Sequence, residues 1–265
     1  MSYLYETHMH TCQGSGCGKS TGREHARYYK DMGYTGIIIT DHFFGGNTAA
    51  DRTLPWKERI EWFCSGYEDA LAEGQKIGLD VFFGWEEGYG GNDEYLVYGL
   101  DKSFMLAHPE MEHWTRKEQY ENVRRAGGCV IQAHPFRMRP EYMKMIKLDE
   151  RYSDGCEVAN FGNKPWDDAR AIRWAKAHDR VMTAGSDNHC SPAKGLFGIE
   201  LEEKLTDIRD LVKIILERKP IGLHVPEERF MITEETPEAG DLAQAYDLDE
   251  NEQPIPNPRN WLYDV

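Results

Sequence analysis

At least six short apolar segments in this chain run towards a histidine, aspartate or glutamate at their C-terminal ends. Tyr3–Glu6 leads to His8 and His10, Thr35–Thr40 to Asp41 and His42, and Leu79–Phe83 to Glu86. Glu94–Tyr98 ends near Asp101, Cys129–Ala133 runs into His134, and Arg180–Ala184 leads to Asp187 and His189. Asp154–Val158 is a further short strand and carries Glu157. β-Branched runs without alternation, such as Gly36–Ile39, predict strands buried on both faces. Helical segments separate them. Thr21 and Glu24 form a capping box that opens a helix to about Gly33, and Thr115 with Glu118 opens another to about Ala126. Trp56 to about Gly78 and Thr206–Arg218 show apolar residues at helical spacing. Pro165 suits the first position of a helix that reaches about His178. Such alternation predicts an α/β chain with a parallel sheet. Polar ends on so many strands favour a TIM-like (β/α) barrel, whose strand ends share one face, over an open sheet with distant outer strands.

The chain has 265 residues, 40% of them hydrophobic, enough for one large core. The barrel is expected over about residues 1–225. Beyond Pro226 the sequence turns acidic and proline-dotted, so 226–265 reads as an irregular tail packed on or near the barrel, or partly mobile. No apolar run is long enough to span a bilayer, and no secretory signal is visible at the N-terminus. Six cysteines lack any small-disulfide-protein spacing, which predicts reduced thiols and a cytoplasmic protein. A net charge of -15 argues against a broad phosphate-backbone footprint and makes long nucleic acid an unfavoured partner. It leaves room for a small phosphorylated substrate held by a local basic pocket.

His8 and His10 stand two apart on an extended segment, so both imidazoles point to one face. Asp187 and His189 repeat the spacing. With His42, Glu86 and His134 they make a candidate ligand set for zinc, manganese or iron. A shared carboxylate such as Glu86 could bridge two ions and leave room for a hydroxide, a strong nucleophile at neutral pH. Glu87 should face away from Glu86, and Asp41 reads as an orienting or structural residue. Glu157 divides evenly between the barrel mouth and a structural role. His25 and His178 are expected to be exposed on helices. His108, His113 and His224 fit no motif. The Gly-rich loop Thr11–Ser20 ends in Gly18-Lys19-Ser20 but has Gln13 where a P-loop needs glycine, so it reads as an active-site loop. Arg137, Arg139 and Lys194 follow ligand motifs closely and could hold phosphate oxygens.

In order along the chain, His8-Met-His10, Thr40-Asp41-His42, Gly84-Trp-Glu86, Ala133-His134-Pro135 and Gly185-Ser-Asp187-Asn-His189 resemble the motifs of the PHP (polymerase and histidinol phosphatase) family. The resemblance covers roughly residues 3–200. It implies a distorted seven-stranded (β/α) barrel whose two or three divalent ions hydrolyse phosphoesters. It assigns His8, His10, Glu86 and Asp187 to one metal, Glu86 and His134 to a second, and His42 with His189 to a third. Two positions depart from it. The loop after His10 offers Cys12, Cys17 and Lys19 where members carry Asp or His. The strand before Ala133-His134-Pro135 lacks the usual terminal histidine, and Asp101 is the nearest equivalent. Glu86, Asp187, Arg137 and Lys194 are the expected catalytic residues of a metal-dependent phosphoesterase. The competing readings are an amidohydrolase-like hydrolase of a C–N or C–O bond, which lacks a lysine to bridge its metals, and a non-catalytic metal-binding barrel.

Overall fold

The computed structural model describes residues 2–90, 93–141, 143, 145–256 and 258–263. Its strands are β1 Tyr3–Glu6, β2 Gly36–Ile39, β3 Asp80–Gly88, β4 Glu94–Tyr98, β5 Cys129–Gln132, β6 Ile146–Leu148, β7 Gly155–Asn160, β8 Val181–Gly185, β9 Gly198–Leu201, β10 Gly222–His224 and β11 Ala245–Asp247. The helices are α1 Gly22–Asp31, α2 Trp56–Phe63, α3 Ser65–Ile77, α4 Lys102–Ala107, α5 Arg116–Arg125, α6 Pro165–Ala177 and α7 Ile208–Leu216. Nine strands form one sheet in the order β10-β9-β1-β2-β3-β4-β5-β7-β8. Strands β1, β2 and β3 pair in parallel, as do β5, β7 and β8. Strand β8 packs back against β9, which makes the sheet a nearly closed, distorted barrel of TIM type.

Strand β4 interrupts the parallel order. It runs antiparallel to both β3 and β5. The chemical reason is the short connection: residues 89–93 cannot make the crossover of a dozen or more residues that parallel strands require. Strands β9 and β10 are also antiparallel and extend the sheet beyond β1.

Both expected capping boxes form, Thr21 with Glu24 and Thr115 with Glu118. The single long helix expected from Trp56 is instead two, α2 and α3, joined at Cys64. The Ser65 hydroxyl donates to the Trp62 carbonyl at the joint. The break sets the start of α3 against the Thr11 loop, where a side chain on Gly66 would collide with the Thr11 hydroxyl. Two core clusters join sheet to helix: Phe43, Phe83 and Trp85 pack with Phe63 of α2, and Ile131 and Ile199 pack with Leu211 and Ile215 of α7.

The chain beyond Pro226 is tied down at several points. Strand β11 pairs in parallel with β6. Arg170 on α6 donates to the carbonyls of Ala243 and Asn260, and Trp261 and Leu262 are buried. Among the described residues, no helix is long and apolar enough to cross a membrane.

Candidate metal centre

Two pairings between strand ends assemble the site. Just past β1 and β8, Met9 and Asn188 form a parallel bridge, and the His10 amide donates to the Asn188 carbonyl at 2.8 Å. Flanking side chains point the opposite way from the bridged pair, which brings His8 and His10 beside Asp187 and His189. A second bridge joins His42 to Glu86. Glu86 is central: its Oε1 lies 3.2 Å from both His8 Nε2 and His134 Nε2, and its Oε2 lies 2.7 Å from His42 Nδ1. His10 Nε2 is 3.1 Å from Asp187 Oδ1. Two of the expected ligand residues, His134 (φ 29°) and Asp187 (φ 50°), occupy left-handed backbone conformations. Such conformations cost about 1–3 kcal/mol each and persist only where the surroundings impose them.

Partners behind the rings fix which nitrogen faces the centre. His8 Nδ1 donates to Glu157 at 3.1 Å, and His189 Nδ1 donates to the Asp187 carbonyl at 2.8 Å. His10 Nδ1 donates to Ser15 Oγ at 3.1 Å, because the Ser15 hydroxyl itself donates to Asp41 at 2.7 Å. Each assignment leaves Nε2 with its lone pair directed inwards. His8 Nε2 and His10 Nε2 then face each other at 3.2 Å. His42 Nδ1 and Glu86 Oε2 are buried and close, yet neither completes a hydrogen bond. Lone pairs converging in this way suit a cation between them. Four overlapping groups meet the spacing a metal needs: His8/His10/Asp187, His8/Glu86/His134, His42/Glu86/Glu94 and His10/His42/His189.

The electrostatics agree. Burial would raise the Asp187 carboxyl, but Arg137 and His8 outweigh it and hold it well below the usual range. Burial opposes a charged His8, yet Glu157, Asp187 and Glu86 lift it well above an ordinary histidine, so that without a cation a proton takes the Nε2 position a metal would occupy. Glu94 is pushed up, first by burial and then by the charge of Glu86. Crowded carboxylates of this kind are what a bound cation relieves.

The centre opens into a pocket of about 410 Å³ lined by Cys17, His42, Asn47, Glu86, Glu94, His134, Arg137, Arg139, Gly162, Asp187 and His189. No lysine is among these residues, so nothing on the described wall matches a metal-bridging lysine. Arg137 is 6% exposed and bonds Asp187, Asn160 and Asn163. Lys194 is exposed and stands outside the pocket, whereas Arg139 lines it.

Comparison with family models finds no match, and neither does comparison with curated proteins. Solved structures do match. A Bifidobacterium adolescentis chain named for metal-dependent phosphoesterase activity is 19% identical, with a TM-score of 0.52, over 81% of this chain and 96% of that one. A two-domain Bacteroides vulgatus protein containing a PHP-like metal-dependent phosphoesterase is 16% identical, with a TM-score of 0.56, over 84% of this chain and 64% of that one. The chain shares the fold of these structures. Two further structures share this fold. One is an amidohydrolase from Chromobacterium violaceum with bound sulfate (14% identity, TM-score 0.52, 84% and 99% covered). The other is Endonuclease Q in complex with a duplex bearing an abasic lesion (12%, 0.53, 84% and 58%).

On this fold the seven expected ligand residues come together, and several other residues fall elsewhere than expected. Asp101 is the N-cap of α4, where it accepts from the Phe104 amide, and it stands away from the centre. Besides Glu86, the carboxylate near His134 is Glu94, 3.4 Å from its Nε2. Reading ligands from strand C-termini looked at the wrong end of β4, because an antiparallel strand brings its N-terminus to the mouth. The short 89–93 connection was the available signal. Glu157 lies behind His8 and also accepts from the His134 amide. Glu87 turns away and accepts from the Gly45 amide. Asp41 ties down the loop through Thr11 and Ser15. His25, expected on an exposed face, is fully buried against the His10 carbonyl and Ser191. His178 is half-buried between Trp174 and Trp261. His108 and His224 pair with Glu110 and Glu200 at the surface.

Proposed function

We propose that this protein is a metal-dependent phosphoesterase acting on a small phosphorylated substrate. One observation carries the reading: imidazoles and carboxylates from six strand ends converge on a pocket that also holds two arginines. His8, His10 and Asp187 would hold one ion, Glu86 with His134 and Glu94 a second, and His42 with His189 a third. Zinc, manganese and iron suit this mixture of nitrogen and oxygen donors. Divalent ions in these positions supply Lewis-acid charge and activate water at neutral pH.

The chain's own groups do the rest. Glu86 sits between neighbouring histidines and holds the sites at a fixed spacing. Asp187 turns one oxygen to His10, where it would be available to an ion, and is anchored by Arg137 on the other. Guanidinium groups of Arg137 and Arg139 orient phosphate oxygens in the pocket, and Arg137 retains donors beyond its three protein bonds. Hydrolysis of a C–N bond has less support, because a neutral substrate would make no use of the positive charge that Arg137 and Arg139 bring to the pocket wall.

A nucleic-acid substrate is the second reading, favoured by the neighbour bound to a lesion-bearing duplex. The net charge of -15 and the size of the pocket favour a small molecule or a strand end over an extended duplex. The test is hydrolysis of phosphomonoesters, nucleotides and short oligonucleotides by chelated and metal-reloaded protein. Turnover should vanish in EDTA and return with manganese or zinc. Undiminished turnover in excess chelator, or none on any phosphoester with metals bound, would reject the assignment.

A further inference from the structure

Cys17 stands apart from the other cysteines. Its Sγ lies 3.1 Å from His189 Nε2, the nitrogen that faces the centre. The Cys12 and Cys190 thiols donate to Gln13 Oε1 and to the Pro192 carbonyl, and Cys64, Cys129 and Cys156 are buried in the core. The loop around Cys17 is clamped on both sides. The Gly16 amide donates to the Asn47 carbonyl at 2.7 Å, and the Lys19 amide to the His189 carbonyl at 2.7 Å. A side chain at Gly18 would collide with the Thr11 backbone. Ser15 and Thr11 are bound to buried Asp41. The sulfur is therefore presented by a rigid loop and does not swing on a free one. His42 and His189 belong with His10 to a group whose ligand atoms fall within metal spacing, and Cys17 stands at the edge of that group through its contact with His189. On the other side of the same group, His42 Nδ1 and Glu86 Oε2 are buried and face each other without completing a hydrogen bond.

We propose that Cys17 is the third protein ligand of the ion held by His42 and His189, giving the centre one thiolate position. The proposal rests on the metal-binding part of the reading above. Thiolate with two imidazoles is a soft donor set that selects zinc, whereas Glu86, Glu94 and His134 on the far side are harder and suit manganese or iron. Three protein ligands leave a fourth position for substrate or water. The centre is thus graded from a soft edge at Cys17 to a hard edge at Glu94.

Cobalt reports the sulfur without any substrate. Metal-free protein reloaded with Co(II) should develop near-ultraviolet thiolate-to-cobalt charge-transfer absorption. Cys12→Ser and Cys190→Ser should keep the band, and Cys17→Ser should abolish it. In a chelator-competition titration, Cys17→Ser should weaken one zinc equivalent by at least about tenfold. Cys17→Asp should restore that equivalent without the band. The proposal fails if fully loaded wild type lacks the band, or if Cys17→Ser keeps it. It also fails if Cys17→Ser abolishes turnover while every metal equivalent binds as before, since Cys17 would then act as a nucleophile. A cobalt–thiolate band in a protein that hydrolyses no phosphoester would sink the functional assignment alone.

Discussion

Arg137 commits one donor each to Asp187, Asn160 and Asn163, at 2.6–2.7 Å. A lysine there offers a point charge in place of a planar fork. Arg137→Lys should therefore lower kcat/KM by tenfold or more, about 1.4 kcal/mol, and also loosen a metal by freeing Asp187. Arg139→Gln should mainly raise KM, and Lys194→Met should change neither, because Lys194 stands outside the pocket. Steady-state kinetics with metal analysis separate the three; equal effects from Arg139 and Lys194 would contradict the placement. The two carboxylates at opposite ends of β4 divide in the same way. Glu94→Gln should lose about one metal equivalent with little change in fold. Asp101→Asn should keep every ion and cost at most about 1 kcal/mol through a weaker helix cap, read from urea midpoints. Metal loss in Asp101→Asn alone would restore the simpler sequence assignment.

Between elements, α1 is joined to the ligand strand through His25. Its Nε2 donates to the His10 carbonyl, while Ser191 donates to its Nδ1. Burial holds the ring down to about 4, against about 6.5 for a free histidine. Protonation thus favours the unfolded chain. The stabilisation is complete above about pH 6.5 and is lost as pH falls from there towards 4. In EDTA, wild type should lose more stability between pH 7.5 and 4.5 than His25→Gln does, on the order of 2 kcal/mol more. Equal losses in urea unfolding would remove His25 from the account. The sequence shows α1 and its capping box plainly, because both are local. It does not show which helix face meets β1, so His25 reads as exposed. Strand β4 is legible as a strand, but its direction depends on a connection too short to cross over. The clustering of the seven candidate ligand residues is legible because extended backbone and strand ends fix their positions locally. Glu94 and Cys17 depend on tertiary approach, one through strand reversal and the other through a folded loop.

Across the whole molecule, the barrel's parallel strands follow from the order of apolar runs and helices. The antiparallel β9 and β10, and the pairing of β11 with β6, join segments far apart in the chain and have no local signature. That last pairing has a consequence in time. Strand β6 closely follows Arg137 and Arg139, and its partner β11 is made about a hundred residues later. At roughly 5–20 residues per second, synthesis leaves β6 unpaired for about 5–20 s after it is made. Every ligand from His8 to His189 is already synthesised by the end of that wait. The nascent chain can therefore gather its ions before the arginine-bearing rim is pinned. A chain ending before Ala245 should still bind metal but be cut by trypsin between residues 137 and 151, where the full chain resists. Equal resistance of the two chains would show that the rim settles without its late partner.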